Sequence, residues 1–138
     1  NVGITKLTPA ALSCSASVRS SVGTAKKALA DKIAYLTEFL GGTFTIEGEY
    51  PAWEFKQDSK LRQVLVDVYQ EMYEKEPVVN VIHAGLECGL FYEKIAELDC
   101  VSIGPDMQDI HTSEEKLSIS SVERVWKYLL EVLKRIKE

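Results

Sequence analysis

The chain has 138 residues, of which 46% are hydrophobic and 27% are charged, a balance that fits a globular protein with one modest core or two small ones. Its 16 basic and 21 acidic residues give a formal net charge of -5, and without a basic stripe to neutralise phosphates we expect no nucleic-acid partner. No apolar run approaches the roughly 20 residues of a membrane span and no leader peptide is visible, so we expect no membrane association and a cytoplasmic location.

The first 50 residues predict four elements in the order strand, strand, helix, strand. The strands alternate apolar with polar residues, whereas the helix repeats its apolar residues every three or four positions. Pro9 favours a turn between the first two strands, and Gly41-Gly42 ends the helix. The predicted ranges are 1–7, 12–20, 22–40 and 43–50. This order is one half of a split βαβ unit, and we expect its other half to precede Asn1 in a longer protein.

Arg19 lies on the polar face of the second predicted strand, because side chains alternate between the two faces along a strand. The residues alone leave two interpretations open. Arg19 is either a solvated surface arginine or a planar fork that binds a carboxylate through two parallel hydrogen bonds.

The second half of the chain predicts helix, strand, helix, strand, acidic loop and helix. It is preceded by Pro51–Gln57, which is either a packed hinge between two domains or a plain loop. The predicted ranges are 59–75, 78–82, 86–98, 100–103, 104–115 and 121–137. The apolar strand 78–82 has too little alternation for a one-sided sheet, which is typical of a strand buried on both faces of a parallel sheet. We expect Asp58 or Ser59 to cap the first helix, and Ser120 and Glu123 to form a capping box at the last.

Candidate functional residues follow the two buried strands, where an open parallel sheet has its ligand crevice. The first turn holds His83, Gly85 and Glu87. Gly85 lets backbone amides approach a ligand closely, and Glu87 at the helix start favours a ligand amine. His83 is either a donor to a substrate carbonyl or carboxylate, or a core histidine satisfied by the backbone.

His111 lies in the second turn, a polar loop between Asp109 and the pair Glu114-Glu115. A loop histidine is often simply solvated, and a metal ligand needs partners. The sequence contains no His-x-Asp or His-x-x-x-His pair that would complete a ligand set. We interpret Glu114-Glu115 as a loop acidic pair that orients His111 by hydrogen bonding.

These residues carry a resemblance to a known family. The run 83–91, followed by 102–105 and 110–115, resembles the carboxyl-terminal end of Xaa-His dipeptidases. These are the bacterial, carnosinase-like members of the two-metal aminoacylase and carboxypeptidase G family. Residues 17–21 and 50–53 are also similar to that group, so the resemblance covers nearly the whole chain. It implies a carboxyl-terminal fragment of a dipeptidase that hydrolyses Xaa-His dipeptides such as carnosine.

The resemblance implies an α/β fold with two parts. Residues 1–54 would form the second half of a lid and dimerisation domain, which is half of a split βαβ unit. Residues 55–138 would be the last strands and helices of a three-layer zinc-peptidase catalytic domain. The resemblance also implies two divalent metal ions, expected to be zinc, a dipeptide substrate and a homodimer formed through the lid.

The resemblance implies roles for single residues as well. His111 matches the last metal ligand, and Arg19 matches the arginine that holds the substrate carboxylate. Glu87 would hold the free amine of the substrate. His83 and Gly85 are candidate substrate-binding residues from the chemistry of the first turn, not from the resemblance. The other ligands and the general base would lie upstream, so the chain would carry no catalytic residue and would be inactive alone.

Two other functions remain open. The first is a different substrate class in the same family, as in a tripeptidase or an N-acyl amino acid deacylase. The second is a non-enzymatic dimerisation module whose exposed edge strand pairs with that of a second copy.

Overall fold

The computed structural model describes residues 1–83 and 86–136, and within them the chain is of mixed α/β class, as predicted. Four helices and two antiparallel two-stranded sheets are present in this part of the chain. The elements are β1 Val2–Leu7, β2 Leu12–Ala16, α1 Gly23–Phe39, α2 Lys60–Tyr73, α3 Glu87–Lys94, β3 Met107–Gln108, β4 Lys116–Leu117 and α4 Ile119–Arg135. They belong to two compact units, Asn1–Phe55 with Val81–Ile95, and Lys56–Asn80 with Ala96–Glu138.

The first unit begins with the hairpin of β1 and β2, in which Thr5 pairs with Cys14 and Leu7 with Leu12. Thr8 closes the predicted turn, because its N–H donates to the Ala11 carbonyl at 2.9 Å and its hydroxyl oxygen accepts the Ala11 N–H at 3.0 Å. Every residue of both strands is exposed. The second strand ends at residue 16, four residues earlier than its alternation predicts.

Helix α1 confirms the predicted helix and its glycine stop. Gly41 adopts φ +75°, and the Gly42 N–H donates back to the Thr37 carbonyl at 2.9 Å, so the end of the helix is satisfied by its own backbone. At the other end, the Glu54 carboxylate accepts the Gly23 N–H at 2.9 Å. No residue of α1 is buried, and its apolar stripe is at most half-buried within the described residues.

Gly89 places α3 against the loop that precedes the second unit in the sequence. A Cβ atom at this position would lie 3.0 Å from the Pro51 carbonyl oxygen and 3.6 Å from the Trp53 Cβ. Only glycine leaves room for this approach. The helix is shorter than the predicted range 86–98, because the backbone becomes extended at Ile95.

Three predicted strands, 43–50, 78–82 and 100–103, are not strands in the structure. A strand exists through pairing, and none of these segments pairs with another in the part of the chain that the structure describes. Their apolar side chains are of the kind found in sheets. Without a pairing partner some of them stay exposed, and Val78, for example, is 84% exposed. The prediction of an acidic loop over 104–115 is also wrong in part, because Met107–Gln108 form the strand β3.

The second unit has its core between α2 and α4. The buried side chains are Leu65 and Val68 of α2 and Tyr128 and Val132 of α4, and Val68 is fully enclosed. Helical spacing places each pair on one face of its helix.

Ser59 caps α2, as predicted. Its hydroxyl oxygen accepts the Arg62 N–H at 2.9 Å and donates to Asp99 Oδ1 at 2.6 Å. The second carboxylate oxygen of Asp99 accepts the Leu61 N–H at 2.9 Å. A carboxylate is favourable at a helix amino terminus because it meets free N–H groups and the positive end of the helix dipole.

Within residues 1–83 and 86–136, no helix is both long enough and apolar enough to cross a bilayer.

Candidate functional site

The His111 loop, residues 109–115, connects β3 to β4. Met107 pairs with Leu117, and Gln108 with Lys116, so the two ends of the loop are held together by a short antiparallel ladder. The loop is therefore closed at its base by backbone pairing, and its shape depends on the residues inside it.

Two residues in this loop adopt the left-handed backbone conformation that favours glycine. Asp109 has φ +52° and His111 has φ +66°. For a residue with a Cβ atom this conformation costs about 1–2 kcal/mol, although Asp and His tolerate it better than most. Such strain persists only where the surroundings hold it in place, and it is concentrated at functional sites.

Hydrogen bonds inside the loop hold this backbone. The Thr112 hydroxyl donates to the Asp109 carbonyl at 2.7 Å, and the Thr112 N–H donates to the same oxygen at 3.2 Å. Glu115 Oε2 accepts the His111 N–H at 2.8 Å. The predicted hydrogen bond between the acidic pair and His111 is thus made by the Glu115 carboxylate and the backbone N–H of His111. The imidazole ring takes no part in it.

The base of the loop is anchored on α4 through Asp106. Its N–H donates to Ser121 Oγ at 2.9 Å, its carbonyl accepts the Ser118 N–H at 3.0 Å, and its Oδ2 accepts a hydrogen bond from Arg124 at 3.0 Å. Ser121 is 2% exposed and also donates to the Ser118 carbonyl at 2.7 Å. Because α4 begins at Ile119, the predicted capping box is wrong, and the helix has no side-chain cap.

His111 fits a metal ion as one ligand. It is exposed, and its imidazole makes no hydrogen bond to any described residue, so a ring nitrogen is available to a cation. A metal centre in a hydrolase needs about three protein ligands. Across residues 1–83 and 86–136, no group of three or more His, Cys, Asp or Glu side chains is placed to hold a metal. The described residues therefore supply a single ligand and leave the set incomplete.

Arg19 follows β2 and is exposed. Its Nε donates to Ser17 Oγ at 3.4 Å, while its two terminal nitrogens make no hydrogen bond within the described ranges. The planar fork is therefore presented to solvent, which agrees equally with a surface arginine and with a carboxylate-binding one.

The remaining predicted site residues surround the start of α3. Glu87 is exposed in the first turn of that helix, and His83 is exposed as well within the described part of the chain. Gly85 lies outside the described residues. No hydrogen bond or ion pair joins Arg19, His83 and Glu87 within the two described stretches of the chain.

Sequence reasoning missed the residues that fix the His111 loop. Ser121 is 15 residues from Asp106, and neither residue belongs to a motif. The one usable signal was chemical, since Asp and His are among the residues that most often adopt a left-handed backbone.

The class of protein follows from comparison with known families. The sequence profile described as Peptidase family M20/M25/M40 matches residues 4–135, and the chain therefore belongs to this family. Peptidases of this family are generally metal-dependent, which agrees with a loop histidine available as a ligand. The resemblance found in the sequence is confirmed at this level.

Two relatives are similar over most of the chain. The cytosol non-specific dipeptidase of Escherichia coli (strain K12) is 34% identical over 136 residues, which are 99% of this chain and 28% of that protein. The crystal structure of aminoacylhistidine dipeptidase from Vibrio alginolyticus superposes with a TM-score of 0.73 and 33% identity, and the match covers 86% of this chain and 24% of that one. The chain thus spans roughly a quarter of the length of either relative.

Proposed function

We propose that this chain is the carboxyl-terminal part of a cytoplasmic, metal-dependent dipeptidase that hydrolyses Xaa-His dipeptides such as carnosine. The observation that carries the proposal is the match of 99% of the chain to a protein named as a cytosolic dipeptidase. The structural relative is named for aminoacyl-histidine substrates, which supports the narrower substrate class.

The proposed cofactor is a pair of divalent ions, with zinc as the native metal. A bound metal ion supplies polarisation of the scissile carbonyl and lowers the pKa of an attacking water. His111 would provide one ligand through its neutral imidazole, and other parts of the full-length protein would provide the rest. Since the described residues hold no complete ligand set, we propose that this chain is inactive alone.

Substrate recognition is proposed for the first unit. A dipeptide carries a carboxylate and an amine, and the exposed fork of Arg19 suits the carboxylate. The exposed Glu87 carboxylate suits the amine, because opposite charges at close range attract. His83 would donate to a substrate carbonyl or carboxylate, and Gly85 would let backbone amides approach.

Residues 1–54 are proposed to be half of a lid and dimerisation domain, and residues 55–138 to be the end of the catalytic domain. The β1–β2 hairpin supports a homodimer through the lid, because a two-stranded sheet with every residue exposed offers unpaired edges to a second copy.

The test is a kinetic comparison in the full-length protein that contains this chain. We expect kcat/KM for carnosine to exceed that for a tripeptide or an N-acyl amino acid. His111→Ala should abolish turnover and lower bound zinc, and Arg19→Ala should mainly raise KM. A preference for the N-acyl amino acid would assign the protein to the deacylases of the same family, and an H111A protein with full activity would overturn the ligand assignment.

A further inference from the structure

Glu115 is the last residue before β4, and its carboxylate reaches back to the residue proposed as a metal ligand. The next residue, Lys116, pairs with Gln108 in the β3–β4 ladder. The β3–β4 ladder therefore fixes the backbone next to Glu115. Oε2 of Glu115 accepts the His111 N–H at 2.8 Å.

This hydrogen bond restrains the backbone of His111. Its φ of +66° is left-handed, and rotation to an extended or right-handed conformation would turn the Cα–Cβ bond and carry the imidazole to a different position. The hydrogen bonds of Thr112 restrain Asp109, which lies two residues before His111. Among the described contacts, the Glu115 carboxylate is the one that holds the N–H of His111 itself.

We propose that Glu115 is a positioning residue for His111, holding the backbone in the left-handed conformation from which the imidazole reaches a divalent transition-metal ion. The inference rests on the proposed function, in which His111 is a metal ligand. The hydrogen bond is charge-assisted, and a carboxylate makes a stronger acceptor than a neutral group. Groups that hydrogen-bond the side chain of a metal ligand typically change metal affinity by about 10–100-fold when they are removed, and Glu115 acts one step further back, on the ligand's backbone.

Glu114 provides a matched control. It is the adjacent acidic residue and is exposed, and its side chain makes no hydrogen bond or ion pair with any residue that the structure describes. Removing its charge changes the net charge of the loop by the same amount as removing that of Glu115, but it leaves the bond to the His111 N–H intact.

The experiment measures the dissociation constant of Zn²⁺ by competition with a chromophoric chelator, using the full-length protein that contains this chain. The variants are E115A and E115D, their controls E114A and E114D, and H111A. Glu115→Asp keeps the charge but shortens the side chain, so the carboxylate no longer reaches the amide. We expect E115A and E115D to weaken zinc binding about fivefold or more, which corresponds to the loss of one hydrogen bond, and both controls to stay within about twofold of the parent protein.

A second readout separates positioning from a general loss of stability. In the metal-free protein, the amide proton resonance of His111 should move upfield in E115A and E115D, because the bond to the carboxylate is lost, and should be unchanged in E114A. If E115A fails to fold, E115D decides the matter, since it conserves charge and differs by one methylene.

The outcomes distinguish this inference from the function on which it rests. If H111A loses zinc while both Glu115 variants bind it as the parent does, the role of Glu115 is overturned and the ligand assignment stands. If H111A binds zinc unchanged, the ligand assignment falls and the positioning role falls with it. Equal losses in the Glu114 and Glu115 variants would show that charge alone matters and would also overturn the positioning role.

Discussion

The Tyr128 hydroxyl donates to the Leu65 carbonyl oxygen at 2.7 Å, and this bond joins α4 to α2 inside the core of the second unit. Tyr69 and Tyr73 pack around the same ring, with ring centroids 5.7 and 6.5 Å from that of Tyr128. The pair is buried, so water does not compete for the bond. A polar contact in this place fixes how the two helices meet, which apolar packing alone specifies less sharply.

Tyr128→Phe should therefore lower the free energy of unfolding by about 1 kcal/mol, because the ring stays and only the hydrogen bond is lost. Urea denaturation of the full-length protein measures the change. Tyr35→Phe is the control, since Tyr35 is 76% exposed and its hydroxyl bonds to water in both states. Equal stability of the Y128F and Y35F proteins would show that the buried bond contributes nothing net.

Tyr128 also predicts a dependence of stability on alkaline pH. Burial, followed by the neighbouring Tyr69 and Tyr73, raises its pKa from 10.0 to about 12. The folded state thus holds the proton more tightly than the unfolded state, so the contribution is complete below pH 10 and is lost as the pH rises toward about 12. We expect the unfolding free energy to fall over this window and to fall less in Y128F, as measured by urea denaturation at each pH.

Asp99→Asn tests the carboxylate at the start of α2. Burial raises the pKa of Asp99, but hydrogen bonds from Ser59 and from two backbone amides of α2, with the charge of Lys56, outweigh it and lower the pKa below its usual 3.8. We expect D99N to lose about 1 kcal/mol of stability at neutral pH. Because the folded pKa is depressed, this contribution is present above pH 3.8 and disappears as the pH falls through the folded value.

The control for this prediction is Asp58→Asn. Asp58 is exposed beside the same helix start, so it shares the favourable dipole but makes no hydrogen bond within the described residues. Thermal denaturation at neutral pH and near pH 3 should show a loss for D99N that shrinks in acid, and little change for D58N. A D99N deficit of the same size at both pH values would contradict the ionic origin of the effect.

Local sequence patterns were sufficient for the helices and the first hairpin, and insufficient for most of the sheet. Helices α1, α2 and α4 follow from periodicity, since their hydrogen bonds are made within the segment itself. The predicted strand 78–82 failed because a strand needs a partner, and pattern alone does not supply one. For the candidate site, the sequence offered His111 as a candidate ligand, and only its residue type hinted at a left-handed backbone. The support from Ser121 had no sequence signal, because it depends on a contact between two separate segments.

Ser121→Ala tests the anchor between the His111 loop and α4. Ser121 is 2% exposed, and removing its hydroxyl takes away the acceptor of the Asp106 N–H and the donor to the Ser118 carbonyl. Each such hydrogen bond contributes about 0.5–1.5 kcal/mol, whereas the Arg124–Asp106 ion pair is largely exposed and contributes little by comparison.

We expect S121A to lower the free energy of unfolding by about 1–2 kcal/mol and to speed hydrogen exchange at the amides of residues 106–118, measured on the full-length protein by mass spectrometry. Ser120→Ala is the matched control, because Ser120 precedes it on the same helix but is exposed, and exposed substitutions typically stay within about 0.5 kcal/mol. Unchanged exchange in S121A would mean that the β3–β4 ladder alone holds the loop. Faster exchange confined to residues 106–118 would show that the hydrogen bond between Ser121 and Asp106 limits the motion of the segment that carries His111.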